Sequence, residues 1–143
     1  MNIPEQLKFE DNFEKIAVGA LNEVGLQSVQ ARYSEEITDQ VIQVYFENEG
    51  NLDEAVIMVG EYRKYSAYQG SIAFVISSNR AKIKNHPDKL ALVRFSMMPE
   101  HEYLNNDFYQ ILEVKEESAT TDFDESSNSD ITYLSFSTKY FLK

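Results

Sequence analysis

Histidines, carboxylates and hydroxyls could carry chemistry in this chain, and few of them fall into a useful spacing. His86 and His101 are the only histidines. A general base needs an orienting partner within hydrogen-bond reach, and the sequence supplies none beside His86. Asn85-His86-Pro87-Asp88 reads as a helix start, with His86 a cap or a surface residue. Glu100-His101-Glu102 could touch a cation. Adjacent residues of an extended chain point to opposite faces, however, which makes a poor chelate. Asp122, Asp124, Ser126, Asn128 and Asp130 alternate as in a calcium loop. Such a loop has glycine at its sixth position and glutamate at its twelfth. Ser127 and Tyr133 stand there instead, so a solvated loop is expected. There are no cysteines, hence no thiolate and no disulfide. No phosphate-cradling glycine loop, no G-x-S-x-G and no H-E-x-x-H occurs. The expectation is a protein with no catalytic, cofactor or metal site, and not an enzyme.

Composition narrows the remaining classes. The chain has 143 residues, the size of a single domain. It is 43% hydrophobic and 26% charged, which excludes a wholly disordered chain. The longest apolar runs, Ala55–Val59 and Ile72–Ile76, have five residues each. A membrane helix needs about 20, so no spanning segment is expected, and no leader peptide is visible. Thirteen basic and 24 acidic side chains leave a net charge of -11, unsuited to general affinity for nucleic-acid phosphates.

That charge is uneven. From Tyr62 to Arg94, seven basic residues (Arg63, Lys64, Arg80, Lys82, Lys84, Lys89, Arg94) face one acidic residue, Asp88, a net +6. Against the chain total of -11, the remainder carries -17. Such charges are ordinarily solvated. Complementary patches on neighbouring copies would instead steer association and fix register. Arg63, Lys64, Arg80, Lys82 and Lys84 are the expected subunit-interface residues. If Arg80, Lys82 and Lys84 project from one strand end or turn, they can reach across a subunit interface, and alternation would put all three on one side. Nine tyrosines add interface-prone surface, although any one of them can simply pack in a sheet.

Elements follow from the hydrophobic period. Phe13, Ile16, Ala17, Ala20, Leu21 and Val24 form one stripe of a helix over Asn12–Val24. Asp11 and Glu14 have capping-box spacing, and Gly25 followed by Leu26 reads as a left-handed stop. Period-two segments follow at Val29–Tyr33 and Ile42–Phe46. Glu47–Asp53 reads as a turn, and Ala55–Val59 and Ser71–Ser78 as buried strands. Tyr62, Tyr65 and Tyr68 suit either a helical turn or a projecting loop over Glu61–Gly70. A second helix is expected over Pro87–Met97, ended by Pro99. Phe108–Lys115 reads as a strand, Glu116–Asp130 as a polar loop, and Asp130–Leu142 as a final strand. On that last strand Thr132, Leu134, Phe136, Thr138, Tyr140 and Leu142 share a face. The predicted architecture is one α+β domain over 1–143: a mostly antiparallel sheet or sandwich with the N-terminal helix and a second helix packed on it.

The segment FYQILEVKEESATTDFDESSNSDITYLSFSTKYFLK, Phe108–Lys143, has a strand, an acidic polar loop and an aromatic alternating strand. Together with the His86-Pro87 helix start and the amphipathic first helix, it resembles the tail terminator or tail-completion (neck) proteins of tailed bacteriophages. That resemblance covers the order of elements along most of the chain. It implies a non-enzymatic virion structural protein, a homo-oligomer forming a ring, commonly a hexamer, between tail tube and head connector. Tail tube and connector proteins would then be its partners, with genomic DNA passing through without specific binding. It would be assembled in the host cytoplasm and end in the virion tail or neck, with no membrane and no cofactor. An acidic bore would repel DNA phosphates and let the genome slide. The alternative is a monomeric acidic binding protein, either a toxin-immunity protein or a DNA-mimic inhibitor.

Overall fold

The computed structural model describes residues 3–31, 36–52, 55–58, 61–64, 67–98 and 106–143, with side-chain environments outside 51–66. A short 3-10 turn leads into helix α1, Phe9–Glu23, followed by strands β1 (Ser28–Gln30), β2 (Ile42–Leu52), β3 (Ala55–Met58), β4 (Glu61–Lys64) and β5 (Ala67–Asn79). Helix α2 (His86–Ser96) and the hairpin of β6 (Tyr109–Asp124) and β7 (Ser129–Leu142) complete the chain. Five strands form one sheet in the order β1-β2-β5-β7-β6, and β3 pairs only with β4. β1 and β2 are parallel; every other pair is antiparallel. This is the expected α+β class.

Both helices cover the same sheet face. The register aligns Val44, Phe74 and Leu134 across three strands, and Phe46, Ile72 and Phe136 beside them. All six are buried and belong to one core cluster with Phe13, Ala17, Ala20 and Leu21 of α1 and Val93 of α2. Phe13 is the keystone. Its ring stacks on Phe46 and on Tyr109, each at 4.4 Å, and meets the edge of Tyr140 at 4.6 Å. The buried Tyr109 hydroxyl donates to the Gln6 carbonyl at 2.8 Å and accepts from Asn12 at 3.0 Å, so no polar atom there is stranded.

The helix stop behaves as expected. Gly25 has φ +81, its N–H donates to the Asn22 carbonyl, and the Leu26 N–H returns to the Leu21 carbonyl. These are the two bonds of a left-handed helix cap. The start is earlier than Asn12 because Phe9, one turn before Phe13, extends the buried stripe and contacts Tyr68, Tyr109 and Tyr140. Asp11 and Glu14 are not a capping pair. Asp11 pairs with Lys15 at 2.8 Å. Glu14 is fully buried: its Oε2 accepts the Phe46 N–H at 3.0 Å and its Oε1 accepts from Gln30 at 3.2 Å. The Ile42 N–H, on the same side of β2, donates to the Gln27 carbonyl. Where the β1 pairing ends at Gln30, a helix carboxylate thus takes over as acceptor.

Three expectations fail. Glu47–Asp53 is not a turn through its described part: β2 continues to Leu52 through a register shift at Asn48/Gly50, which Gly50 absorbs at φ +114. The described part of Glu61–Gly70 holds neither a helical turn nor a loop, since it supplies β4 and the start of β5. Glu116–Asp130 is mostly strand: β6 runs to Asp124, and only Glu125–Asn128 turns, with Asn128 at φ 52. Its Ser, Thr and Glu residues lack an apolar alternation because β6 is an edge strand exposed on both faces from Lys115 to Phe123. Its conformation is set by pairing with β7. Parts of the segments expected at Val29–Tyr33 and Ala55–Val59 lie outside the described residues, as does Glu100-His101-Glu102.

Candidate interface surfaces

The end of the sheet where β5 leads into α2 is built from polar side chains. Ser78 and Thr132 lie on the helix-covered face, where neighbouring core positions carry Phe74 and Leu134. Pro87 in the first turn sets the entry into α2. That entry carries His86 down onto the two hydroxyls. His86 Nδ1 lies 2.6 Å from Ser78 Oγ and Nε2 lies 2.7 Å from Thr132 Oγ1, which in turn meets Thr121 Oγ1 at 2.7 Å. His86 is therefore neither a cap nor a surface residue, since it is buried and bonded at both ring nitrogens. Burial lowers its pKa; the Asp130 charge opposes that shift and Lys89 adds to it. Ser78 is itself buried, and the Ser–His contact anchors the start of α2 on the sheet.

Beside it, Arg80 clamps the hairpin end. Its Nη2 and Nε reach Asp130 at 2.9 and 3.2 Å, and its guanidinium lies 3.9 Å from the centre of the Phe123 ring. The Arg80 N–H also donates to the Asn128 carbonyl. The hydrogen bond from Arg80 holds the Asp130 carboxyl below its ordinary pKa, and Asp130 raises that of Arg80. The remaining carboxylates of the expected solvated loop are equally local. Asp124 accepts from Ser127 at 2.7 Å and from Ser126 at 2.9 Å, which lowers its pKa. Among the described residues no three His, Asp or Glu side chains converge on a metal position. A cleft of about 310 Å³ next to this turn is lined by Thr38, Asp39, Ser77, Asn79, Asp124 and Ile131.

The basic residues fall in two places along the chain. Arg63 and Lys64 belong to β4, just before β5, while Arg80, Lys82 and Lys84 follow its far end. Thirteen residues of strand separate the two groups, roughly 40 Å at the usual rise per residue. Strand alternation does not apply to Arg80, Lys82 and Lys84 either, because β5 ends at Asn79 and the chain turns. Arg80 is occupied by Asp130, and Arg94 pairs with Glu116 at 2.7 Å. Lys89 donates to the Asp39 and Ser77 carbonyls at 3.0 and 2.8 Å, and burial lowers its pKa. Lys82 and Lys84 are exposed, with no carboxylate in ion-pair range among the described residues.

The acidic counterpart is β6, whose outer edge pairs with no other strand among the described residues. It runs for 16 residues, roughly 50 Å. Glu113 pairs with Lys139 at 3.5 Å and Glu116 with Arg94, leaving Glu117 and Asp122 as its exposed carboxylates outside any ion pair among the described residues, with Lys115 an exposed cation on the same strand. Register shifts at Ile111/Glu113 and Glu116/Ser118 bend this edge. On the sheet face away from the helices, Tyr45 and Tyr133 are about half exposed, whereas Tyr109 and Tyr140 are core residues. Sequence reasoning missed His86 and Glu14 as buried polar anchors. Their partners Ser78, Thr132 and Phe46 lie 8, 46 and 32 residues away, and no local pattern announces them.

Comparison with known proteins places no name on this arrangement: no family model matches the chain, and no curated protein matches it. No helix of the described residues is long and apolar enough to cross a membrane.

Proposed function

We propose that the chain is a non-enzymatic structural subunit that assembles with copies of itself, as a ring-forming tail terminator or head-tail connector protein of a tailed bacteriophage virion. The observation that carries this reading is the β6 edge. Sheets of monomeric proteins keep their edges short or covered, because an open edge is a template for another chain. Here the edge strand is three times the usual strand length and is exposed on both faces over Lys115–Phe123. Its carboxylates weigh against two β6 edges meeting, since like charges directly opposite are unfavourable. Unlike surfaces are left to meet, and a contact between unlike surfaces closes into a ring when its rotation permits. The buried His–Ser contact and the self-contained Asp124 and Asp130 give the site no evident chemistry to perform. In this reading the neighbours in the particle are tail tube and connector proteins, and genomic DNA passes an acidic bore.

Light scattering and native mass spectrometry of the purified chain test the reading. A closed oligomer, hexameric by the resemblance, is the expected result. A chain that stays monomeric at every concentration removes it and favours the acidic immunity or inhibitor protein.

A further inference from the structure

We infer that the turn between β5 and α2 is the positive half of the contact between copies, and that it docks on the outer strand β6 of a second copy. This rests on the assembly reading above and names the surfaces that would carry it. The turn, Arg80–Asn85, is fixed at both ends. Arg80 is held by Asp130, by the Phe123 ring and by its own N–H on the Asn128 carbonyl. His86 is held by Ser78 and Thr132. Inside the turn, the Ala81 N–H donates to Asn79 Oδ1 at 2.9 Å and the Ile83 N–H to the Asn79 carbonyl at 2.7 Å. A backbone fixed in this way presents Lys82 and Lys84 at a defined place, so contact has to order only their side chains. They are also the two cations of this end not engaged by a neighbouring acceptor, since Arg80, Lys89 and Arg94 are all occupied.

The partner surface follows from the same accounting on the acidic side. Glu113 and Glu116 are paired within the chain, whereas Glu117 and Asp122 are exposed. Glu117 lies at the register shift of β6 and stands out of the ladder. Two cations on a fixed turn and two outward carboxylates on a strand that carries a single exposed cation, Lys115, make a contact that rejects like-with-like pairing and sets register. The role assigned to Arg80 changes with it: the residue holds the turn in place and does not reach across.

Charge exchange in the full chain tests the inference. Lys82→Glu with Lys84→Glu makes one variant, and Glu117→Lys with Asp122→Lys makes the other. All four positions are exposed, so circular dichroism and thermal unfolding should match the wild type. Each variant alone should need at least tenfold more protein to reach half assembly. An equimolar mixture should recover wild-type assembly, because each altered surface then meets its complement. A variant that assembles alone like the wild type overturns the inference while leaving the assembly reading in place. So does a mixture of two folded variants that fails to recover. A wild type found only as a dimer, with the same exchange pattern, keeps the contact and overturns the ring. A wild type that never assembles overturns both.

Discussion

Strands β5 and β7 run side by side through two different environments. Near Tyr68 and Tyr140 they lie under aromatic rings: Phe9, Phe13, Phe46 and Tyr109 surround that end. Near Ser78 and Thr132 the same strands lie under a histidine and beside an arginine clamp. The first end is held by apolar area, which has no direction and no proton. The second is held by hydrogen bonds and charge, which depend on geometry, pH and salt. One sheet therefore has an end that resists changes of solution conditions and an end that responds to them.

Breaking the aromatic end should cost most. Phe13→Ala removes a ring in contact with three others and should destabilise the fold by about 3–5 kcal/mol in denaturant unfolding. A loss below about 1 kcal/mol would place the centre of the core elsewhere. Gly70→Ala comes next. A Cβ there would collide with the Phe46 ring and sit 2.9 Å from the Glu47 carbonyl oxygen, so a loss of roughly 1–3 kcal/mol is expected. Both losses should be the same at pH 7 and pH 5.

The polar end should answer differently. His86→Ala should cost about 1–3 kcal/mol at pH 7, because it strips the Ser78 hydroxyl of its partner and leaves a void. Its signature is the pH profile. The folded pKa of His86 is lowered below 6.5, so the unfolded chain takes up the proton first. His86 therefore contributes fully above pH 6.5, and its contribution falls as the pH drops toward the folded value. The variant should lose that portion of the acid dependence, and parallel profiles for the two proteins would contradict the assignment. Arg80→Ala should have the smallest effect, since the pair is largely exposed. Its loss should shrink further at 1 M salt, where the Debye length is about 3 Å. A second acid transition should remain in the His86 variant. Asp130 is held below its ordinary 3.8 by Arg80 and contributes until the pH falls through its folded value.

The two ends also differ in how far the sequence revealed them. The aromatic end was legible. The stripe from Phe13 to Leu21, the stop at Gly25 and the alternating face of β7 each come from a local period, and each is present, whereas Val24 is the helix cap and stands outside the core. The Pro87 start of α2 was legible for the same reason. β6 was not, because a strand wet on both faces has no period to read and takes its conformation from its neighbour. His86 was read as a surface residue because its flanks spell a helix start, while the hydroxyls that bury it come from β5 and β7. Charge was legible as a total and misleading as a map. The net +6 segment contains a 13-residue strand, with Arg63 and Lys64 before it and the other five cations after it.

The buried Glu14 carboxylate has a consequence for growth. By accepting the Phe46 N–H beyond Gln30, it fills the position where a longer β1 would have continued. At that point the ladder is closed by a helix side chain, whereas the outer edge of β6 pairs with no other strand among the described residues. Removing the carboxylate, as in Glu14→Ala, would leave the buried Phe46 N–H without its acceptor, so the place where the ladder stops would become a place where it is under-satisfied.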